Sequence, residues 1–373
     1  MEGRTGLFVP AASLAKVPPP TAPVFFNPAA SVNRDVTVAI TAASGGRTFC
    51  DSMAGVGARG VRVANEVDGL RLVTLVDFNR ESLKLARRSA SLNGVGGKCE
   101  FSASETSSFL FSRFGSEERF DYVDADPFGT PARQLQAGVC ATSEGGIFSV
   151  TATDTAVLCG LYPEVARRRY GASGLNNHFN HETAVRLLTG AIARSAAQLD
   201  IGVEPVAAHS TRHYVRVYVR VRVGASKADG ALRNLGYVCW CRACGHVVGS
   251  VEPTESCVRC GKKVKAGGPL WLGPVTEKRV VGLGAKLADI GGLSAAHAVL
   301  SSLVGVDDFP PWSFSIEGIC SSLKVATVPE DRVYRHLLKT GRRAMRTPFE
   351  KTGVKTDAEY GEVRDAVRAA ATE

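Results

Sequence analysis

The chain has 373 residues, 45% of them hydrophobic, so it can bury a sizeable core and is longer than most single domains. Its 45 basic and 36 acidic residues give a net charge of +9, which favours an anionic partner such as nucleic acid. No segment reaches the roughly 18 apolar residues that a membrane span needs. The N-terminal sequence also lacks the basic region and apolar run of a secretory signal. We therefore expect a cytoplasmic protein with no membrane partner.

The first 35 residues are rich in Pro and Ala and predict loops with one hairpin. From about residue 47 to 225, short β-rich apolar runs alternate with amphipathic stretches. The predicted strands are Thr48–Ser52, Arg71–Val76, Tyr122–Asp124 and Gly146–Thr151, and the predicted helices are Arg59–Val67, Arg80–Asn93, Ala132–Ala141 and His181–Leu199. This alternation predicts a doubly wound, Rossmann-like α/β fold with a mostly parallel sheet.

After about residue 210 the sequence pattern changes twice, first to a strictly alternating strand and then to a cysteine-containing segment followed by a basic one. His213–Val223 alternates Val with Tyr or Arg, which predicts a half-buried strand at or near a sheet edge, and residues 224–230 follow as a turn or short linker. Two pairs of cysteines lie within 239–268, and 276–373 is helical and basic. We therefore predict three parts, listed in chain order: a catalytic domain at 1–235, a four-cysteine module at 236–275 and a smaller α/β RNA-docking domain at 276–373.

A glycine-rich loop follows the first predicted strand and opens a helix. Gly55 and Gly57 let the backbone turn tightly beside a ligand, and Asp77 ends the next strand, where an acid binds the ribose hydroxyls of an adenosine-type cofactor. The Gly-Lys-Ser/Thr ending of a phosphate loop is missing, but a dinucleotide site stays open on these residues alone. Asp51 can face the amino group of a methionine moiety, or be a solvated loop acid.

The segment Asp126-Pro127-Phe128 ends a short apolar strand, where open parallel sheets place their active sites. An exocyclic amine on a base ring is a poor nucleophile that must be aligned and relieved of a proton. The Asp126 carboxylate can accept one N–H of such an amine, and the Pro127 carbonyl can accept the other. Phe128 can stack on the base, which contributes about 1–3 kcal/mol. The alternative is an ordinary strand-end turn, but three suitable residues at this position favour amine chemistry.

The motif resembles the Asp/Asn-Pro-Pro/Phe-Tyr/Phe signature of amino-methyltransferases. Along almost its full length the chain resembles the archaeal and eukaryotic tRNA guanosine-26 N2-dimethyltransferase family. The matching segments are Val24-Phe-Phe-Asn-Pro28, Asn33-Arg-Asp35, Asp51–Gly60, Asp124–Pro131, His181-Glu182, His209–Tyr214, Gly268–Pro274 and Thr352–Ala358. The resemblance implies S-adenosylmethionine as methyl donor and two successive transfers to N2 of guanosine 26.

By position, Arg34, Arg59 and Asp77 match cofactor-binding residues of that family, and Asp126 matches its catalytic acid. The resemblance implies that Arg34 faces the methionine carboxylate. Near the adenine, this chain carries Ser102-Ala103-Ser104 where the family usually has an acidic residue, Ala and Asn, so weaker cofactor binding is expected. Pro348 replaces a usual histidine, so we carry over no role for it.

Cys241-x-x-Cys244 and Cys257-x-x-Cys260 are separated by twelve residues, and a glycine follows each pair. Each pair can supply two thiolates to the same tetrahedral ion. Four thiolates leave no open coordination position, so we predict one structural Zn²⁺. A disulfide is disfavoured in a reducing cytoplasm, and an iron–sulfur cluster is the less favoured alternative.

From Arg332 to Lys355 the sequence has eight lysine and arginine residues and one acidic residue, Glu350. Val333, Leu337 and Leu338 predict the buried stripe of a helix whose other side is basic. With Arg168, Arg169 and the arginines of 216–222, this run predicts a surface that contacts tRNA phosphates. His178, His181 and Glu182 predict a helix start that lines the substrate pocket, with a metal site as a minor alternative.

We therefore predict a tRNA methyltransferase that transfers one or two methyl groups from S-adenosylmethionine to N2 of guanosine 26. The alternatives are an amino-methyltransferase acting on another guanine of tRNA or rRNA, and a non-catalytic zinc-containing RNA-binding protein. No obligate protein partner is predicted.

Overall fold

The computed structural model describes residues 1–350 and 352–373. Its central sheet has seven strands in the order β3-β2-β1-β4-β5-β7-β6. The first five strands run parallel, and β7 pairs antiparallel with both β5 and β6. The seven strands are β1 Thr48–Asp51, β2 Leu72–Val76, β3 Cys99–Ser102, β4 Phe120–Ala125, β5 Thr142–Ala152, β6 Ile201–Thr211 and β7 Tyr214–Val223. The predicted Rossmann-like fold class is confirmed.

Ten helices accompany this sheet in the described part of the chain up to residue 235. They are α1 Ala11–Ala15, α2 Ser31–Ser44, α3 Ala58–Glu66, α4 Arg80–Leu92, α5 Thr106–Phe111, α6 Leu135–Ala141, α7 Thr155–Leu158, α8 Pro163–Tyr170, α9 Asn180–Ala197 and α10 Ala225–Leu232. All four predicted strands and all four predicted helices are present, with shifted ends.

Two local predictions are wrong. The stretch predicted as loops, residues 1–35, contains α1 and the first five residues of α2, which is buried at both polar and apolar positions between Asn33 and Thr41. A helix covered on nearly all sides has no polar face, so its sequence lacks the amphipathic period that identifies helices. Residues 224–230, predicted as a turn, form the start of α10 after Gly224, because its alanines favour a helix despite Gly230.

The prediction for β7 is half right. The strand is next to the edge of the sheet, as expected, but both of its faces are covered rather than one. Arg216 and Tyr218, predicted on the solvent side, are fully buried. Arg216 Nη2 donates to Thr37 Oγ1 on α2 over 3.0 Å, so α2 covers this face.

The second half of the chain adds two small sheets. One has the order β10-β8-β9, with β8 Leu235–Trp240, β9 Val247–Ser250 and β10 Lys265–Trp271. The other has the order β11-β13-β12, with β11 Phe314–Ser315, β12 Ala344–Arg346 and β13 Gly353–Thr356. The remaining helices are α11 Lys278–Ile290, α12 Ser294–Leu303, α13 Ile316–Leu323, α14 Glu330–Lys339 and α15 Tyr360–Thr372.

These elements form distinct cores. Helices α13, α14 and α15 surround the third sheet with a core of their own that includes Ile316, Val333 and Val367. Helices α11 and α12 instead pack against α2, and their apolar residues join the core of the seven-stranded sheet. The division at residues 235 and 275 therefore stays a prediction. Within the described residues, no helix is long and apolar enough to cross a membrane.

Candidate active site and cysteine cluster

The glycine-rich loop lies where β1 and β2 end. Gly55 and Gly57 have positive φ angles of 51° and 77°, which favour glycine. A Cβ at Gly57 would also lie 2.7 Å from the Cβ of Ala86, so the loop packs closely on α4. Asp77 accepts the Gly55 N–H through Oδ2 over 2.8 Å. The structure therefore joins Asp77 to the predicted cofactor loop.

Asp51 lies at the end of β1 and is buried. Its Oδ2 accepts the backbone N–H of Gly60 over 2.8 Å. Burial raises the pKa of Asp51 to about 7; Arg59 opposes this rise, while Asp124 and Asp126 add to it. Because the cost of ionising this carboxyl falls when a cation approaches, the site favours a positively charged ligand group. The interpretation of Asp51 as a solvated acid is wrong.

Ser102 ends β3 and Ala103 follows it, on the far side of β2 from the loop. The carbonyl of Ser102 accepts the N–H of Asp77 over 3.1 Å, which places these residues beside the acid predicted to bind ribose. Ser102 Oγ lies 2.8 Å from Ser104 Oγ, and Ala103 is exposed. The two hydroxyls are thus hydrogen-bonded to each other.

The segment Asp126-Pro127-Phe128 follows β4, next to β1. The side chain of Asp126 is 28% exposed, Pro127 is buried and Phe128 is 70% exposed. The Phe128 ring meets the ring of Phe25 edge to face, with centroids 4.8 Å apart. Phe25 was not predicted as a site residue, although it lies in one of the segments that carry the family resemblance. One exposed and one partly buried aromatic ring thus lie beside the Asp126 carboxylate, and such rings are suited to contact a flat base.

Arg59 lies behind Asp126 on α3 and is buried. Its Nη2 pairs with Asp126 Oδ2, and its Nη1 donates to Asn33 Oδ1 over 2.8 Å and to Thr37 Oγ1 over 2.6 Å. The structure therefore links Arg59, predicted to bind the cofactor, directly to the predicted catalytic acid. Neither Asn33 nor Thr37 was predicted as a site residue: Asn33 lies in a segment that carries the family resemblance, and Thr37 lies one helical turn further along α2, which was not predicted.

Arg34 pairs with a carboxylate from the N-terminus. Its Nε and Nη2 donate to the two oxygens of Glu2 over 2.6 and 2.5 Å, and its guanidinium lies over the Phe26 ring. Arg62 Nη1 also binds Glu2, over 2.9 Å. The described contacts of Arg34 are thus with residues of the N-terminal segment, and its predicted contact with the methionine carboxylate stays a prediction.

Comparison with known proteins identifies the family. A family model described as N2,N2-dimethylguanosine tRNA methyltransferase matches residues 7–368. The chain belongs to this family. A tRNA (guanine(26)-N(2))-dimethyltransferase of Methanopyrus kandleri is 37% identical over 360 residues, which cover 96% of this chain and 93% of the relative. One of Methanothermobacter thermautotrophicus is 34% identical over 357 residues, which cover 93% of each chain.

A solved structure supports the same assignment. Trm1 from Pyrococcus horikoshii, in complex with S-adenosyl-L-methionine, is 30% identical and matches 98% of each chain with a TM-score of 0.85. The family predicted from the sequence is confirmed.

In this member of the family, the four predicted metal ligands come together. The sulfur atoms of Cys241, Cys244, Cys257 and Cys260 all lie within 4.8 Å of one another. Cys241 and Cys260 are 3.5 Å apart, and Cys244 and Cys257 are 3.6 Å apart. A zinc ion with four bonds of about 2.3 Å places its sulfurs about 3.8 Å apart. Gly245 and Gly261 have positive φ angles of 74° and 69° and close the two turns. The donor set and its spacing fit a tetrahedral ion.

The predicted basic surface needs correction. Arg216 and Lys355 are buried, and Arg220 pairs with Glu277 over 2.6 Å. Leu338, predicted to be buried, is 58% exposed. Lys351 lies outside the described residues. Arg216, Arg220 and Lys355 were misjudged because their ionic partners are distant in sequence. Exposed positive charge remains on α14 at Arg335 and Lys339 and on α8 at Arg168, whereas the exposed Arg169 pairs with Asp154 over 2.9 Å.

Glu182 was predicted to line the substrate pocket, and this prediction is wrong. The Glu182 carboxylate is fully buried and pairs with Arg186 on its own helix, over 3.0 Å, and with Lys355 on β13, over 3.1 Å. It also accepts the backbone N–H of Trp312 over 3.0 Å. His181 contacts Glu350 over 3.1 Å, which raises the pKa of His181. Both residues therefore join α9 to the C-terminal region.

Proposed function

We propose that this chain methylates the exocyclic N2 of guanosine 26 in tRNA, adding one or two methyl groups from S-adenosylmethionine. The observation that carries the proposal is membership of the N2,N2-dimethylguanosine tRNA methyltransferase family over residues 7–368. The Asp126-Pro127-Phe128 segment at the end of β4 supplies groups suited to that chemistry.

The glycine-rich loop and its neighbours fit S-adenosylmethionine. Gly55 and Gly57 allow close approach of the ligand, Asp77 would bind the ribose hydroxyls, and Ser102 would lie near the adenine. The buried Asp51 carboxyl would gain a cationic partner in the amino group of the methionine moiety. When bound, S-adenosylmethionine supplies a methyl group bonded to a positively charged sulfur.

Asp126, Pro127 and Phe128 would present the amine to that methyl group. The Asp126 carboxylate and the Pro127 carbonyl each accept one N–H, so the nitrogen lone pair is directed away from them. Phe128 and Phe25 contact the base and hold its plane. As the N–C bond forms, one proton passes from the nitrogen to Asp126. Transfer of a second methyl group requires that the remaining N–H reaches Asp126.

The cysteine cluster would hold Zn²⁺ as a structural ion, because four thiolates saturate a tetrahedral site. We assign catalysis to residues 1–235, the zinc module to 236–275 and tRNA docking to 276–373. Helices α11 and α12, packed on α2, connect the docking region to the catalytic one. Contacts between the zinc module and the docking region, such as Arg259 with Glu359 over 2.6 Å, tie these two parts together.

A tRNA partner would contact the exposed basic side chains of α8 and α14. Arg168, Arg335 and Lys339 are exposed and offer charge to phosphates. Phosphate contacts orient an RNA but do not select a base, so selection depends on exposing guanosine 26 to the Phe25 and Phe128 rings.

Nucleoside mass spectrometry tests the proposal. Unmodified tRNA transcripts are incubated with the purified protein and S-adenosylmethionine, and a transcript with guanosine 26 replaced by adenosine is the control. We expect N2-methylated guanosine in the first transcript and none in the second. Methylation that persists in the control would indicate another guanine, and no methylated nucleoside despite measured cofactor binding would contradict the proposal.

A further inference from the structure

Behind Asp126 lies a row of charged side chains from three elements of the fold. Arg216 on β7 pairs with Asp124 on β4, and neither side chain is exposed to solvent. Arg59 Nε lies 3.1 Å from Asp124 Oδ1, and Arg59 Nη2 pairs with Asp126. The order is therefore cation, anion, cation, anion, and the last anion is the proposed catalytic acid.

Arg59 is shared unequally between the two carboxylates. Asp124 Oδ1 has no aligned hydrogen bond, although Arg59 Nε is only 3.1 Å away. The other oxygen, Oδ2, accepts hydrogen bonds from Arg216 and from Ser149 Oγ, the latter over 2.6 Å. Because Arg216 compensates the charge of Asp124, Arg59 is free to direct its Nη2 to Asp126.

Arg216 is itself fixed on all sides. Its Nε donates to the Tyr218 hydroxyl over 2.7 Å, and its Nη1 donates to Thr151 Oγ1 over 2.5 Å. Thr37 Oγ1 accepts from Arg216 Nη2 over 3.0 Å and from Arg59 Nη1 over 2.6 Å. A planar guanidinium can make these contacts together, whereas a lysine ammonium offers one point-like charge.

We propose that Arg216 is a positioning residue for methyl transfer, acting through Asp124 and Arg59 to hold Asp126 in its working orientation. The inference rests on the proposed function. Arg59 holds Oδ2 of Asp126, so Oδ1 is left to take the proton of the amine as the N–C bond forms and the methyl–sulfur bond breaks, with its electron pair passing to sulfur. Without Arg216, the Asp124 carboxylate attracts Arg59, and Asp126 loses its ion pair with Arg59.

The first test compares Arg216→Lys with Arg220→Lys, a matched change four residues further along β7 on the same face, where Arg220 pairs with Glu277. The lysine keeps a buried cation, which favours folding, but its shorter side chain and single ammonium cannot reproduce the contacts of Arg216 with Asp124, Thr151 and Thr37, so Asp124 is held less firmly and competes for Arg59. We expect kcat for tRNA methylation to fall about tenfold in Arg216→Lys, with the KM for S-adenosylmethionine unchanged, because misorientation affects the transfer step rather than cofactor binding. Arg220→Lys should match the wild type. A wild-type kcat in Arg216→Lys, or an equal loss in both variants, overturns the proposal.

A double variant with neutral side chains at positions 124 and 216 distinguishes a positioning role of Arg216 from a purely structural one. In Asp124→Asn/Arg216→Gln the carboxylate of residue 124 no longer competes for Arg59, so Arg59 stays with Asp126 and kcat should exceed that of Arg216→Lys. Asp51, the other carboxyl that acts on Arg59, is the same in both variants. Simple loss of packing or of buried hydrogen bonds predicts the opposite order, and that result would also overturn the proposal.

Crystal structures of the wild type and Arg216→Lys, both without cofactor, provide a readout that does not depend on activity. We expect Arg59 to lie closer to Asp124 in the variant and Asp126 to turn away from Arg59. An unchanged Arg59–Asp126 pair would overturn the positioning role even if the wild type methylates a different substrate. An inactive wild type, by contrast, counts against the proposed function alone.

Discussion

The buried carboxylate of Glu182 joins the C-terminal region to the catalytic domain, and the charges around it allow this contact to be tested. Glu182, Arg186 and Lys355 form a cluster, called here the Glu182 cluster, in which one anion faces two cations. Burial lowers the pKa of Lys355; Glu182 opposes this and Arg186 adds to it. Among these three side chains there is one more cation than anion, while Asp307 is a further anion that acts on Lys355 from outside the cluster. Replacing Glu182 and replacing Lys355 therefore have different consequences.

Glu182→Gln removes the only anion of the cluster and leaves two buried cations facing each other. Breaking a buried ion pair in this way costs about 3–5 kcal/mol of the free energy of unfolding. Lys355→Met removes the surplus cation, keeps the Glu182–Arg186 pair and fills similar space. Its cost is the loss of Nζ hydrogen bonds to Glu182 and to the Pro310 carbonyl, about 1.5–3 kcal/mol. We expect Glu182→Gln to be the more destabilising change.

Equilibrium urea unfolding followed by tryptophan fluorescence measures both variants, because Trp312 packs in the same contact, 5.7 Å from Arg186. Lys278→Met is the control: its side chain is 68% exposed, so its effect should stay within about 0.5 kcal/mol. If Lys355→Met lowers the free energy of unfolding as much as Glu182→Gln does, the assignment of one surplus cation to the cluster is wrong.

Three further predictions concern the cofactor, the acid and the metal. Asp126→Ala should abolish methyl transfer while calorimetry still detects S-adenosylmethionine binding; appreciable transfer in this variant would refute the role of the acid. Because the folded-state pKa of Asp51 is raised from 3.8 to about 7, its proton must be released before a cation can pair with it. The affinity for S-adenosylmethionine should therefore rise as pH increases through about 7, and Asp51→Asn should flatten this rise in a calorimetric titration. Cys244→Ser should lower the zinc content measured by atomic absorption and lower the melting temperature, and an unchanged zinc content would exclude a four-thiolate site.

The parts of the site that the sequence predicted are local in the chain. Gly55, Gly57 and Asp77 follow strands that their own apolar runs identify, and Asp126-Pro127-Phe128 is contiguous. Cysteine spacing likewise indicates a metal site, because each pair spans only four residues.

The parts that were missed depend on distant contacts. Helix α2 packs against α3, α11 and α12, and its polar residues Asn33 and Thr37 bond to side chains of β5 and β7, so no polar face marks it in the sequence. With α2 absent from the prediction, β7 was expected to expose Arg216, and the network behind Asp126 could not be anticipated. Asp124 and Arg216 are 92 residues apart, and no local pattern connects them.

This correction also changes what the net charge implies about RNA binding. Among the described residues, buried charged side chains include six basic ones, Arg34, Arg59, Arg62, Arg186, Arg216 and Lys355, and three acidic ones, Asp51, Asp124 and Glu182. The interior therefore holds part of the +9 excess. What remains lies on side chains that solvent can reach, and only these can displace counterions from phosphates. The salt dependence of tRNA binding should accordingly reflect fewer phosphate contacts than the composition suggests, with exposed residues such as Arg335 and Lys339 contributing and Arg216 contributing nothing.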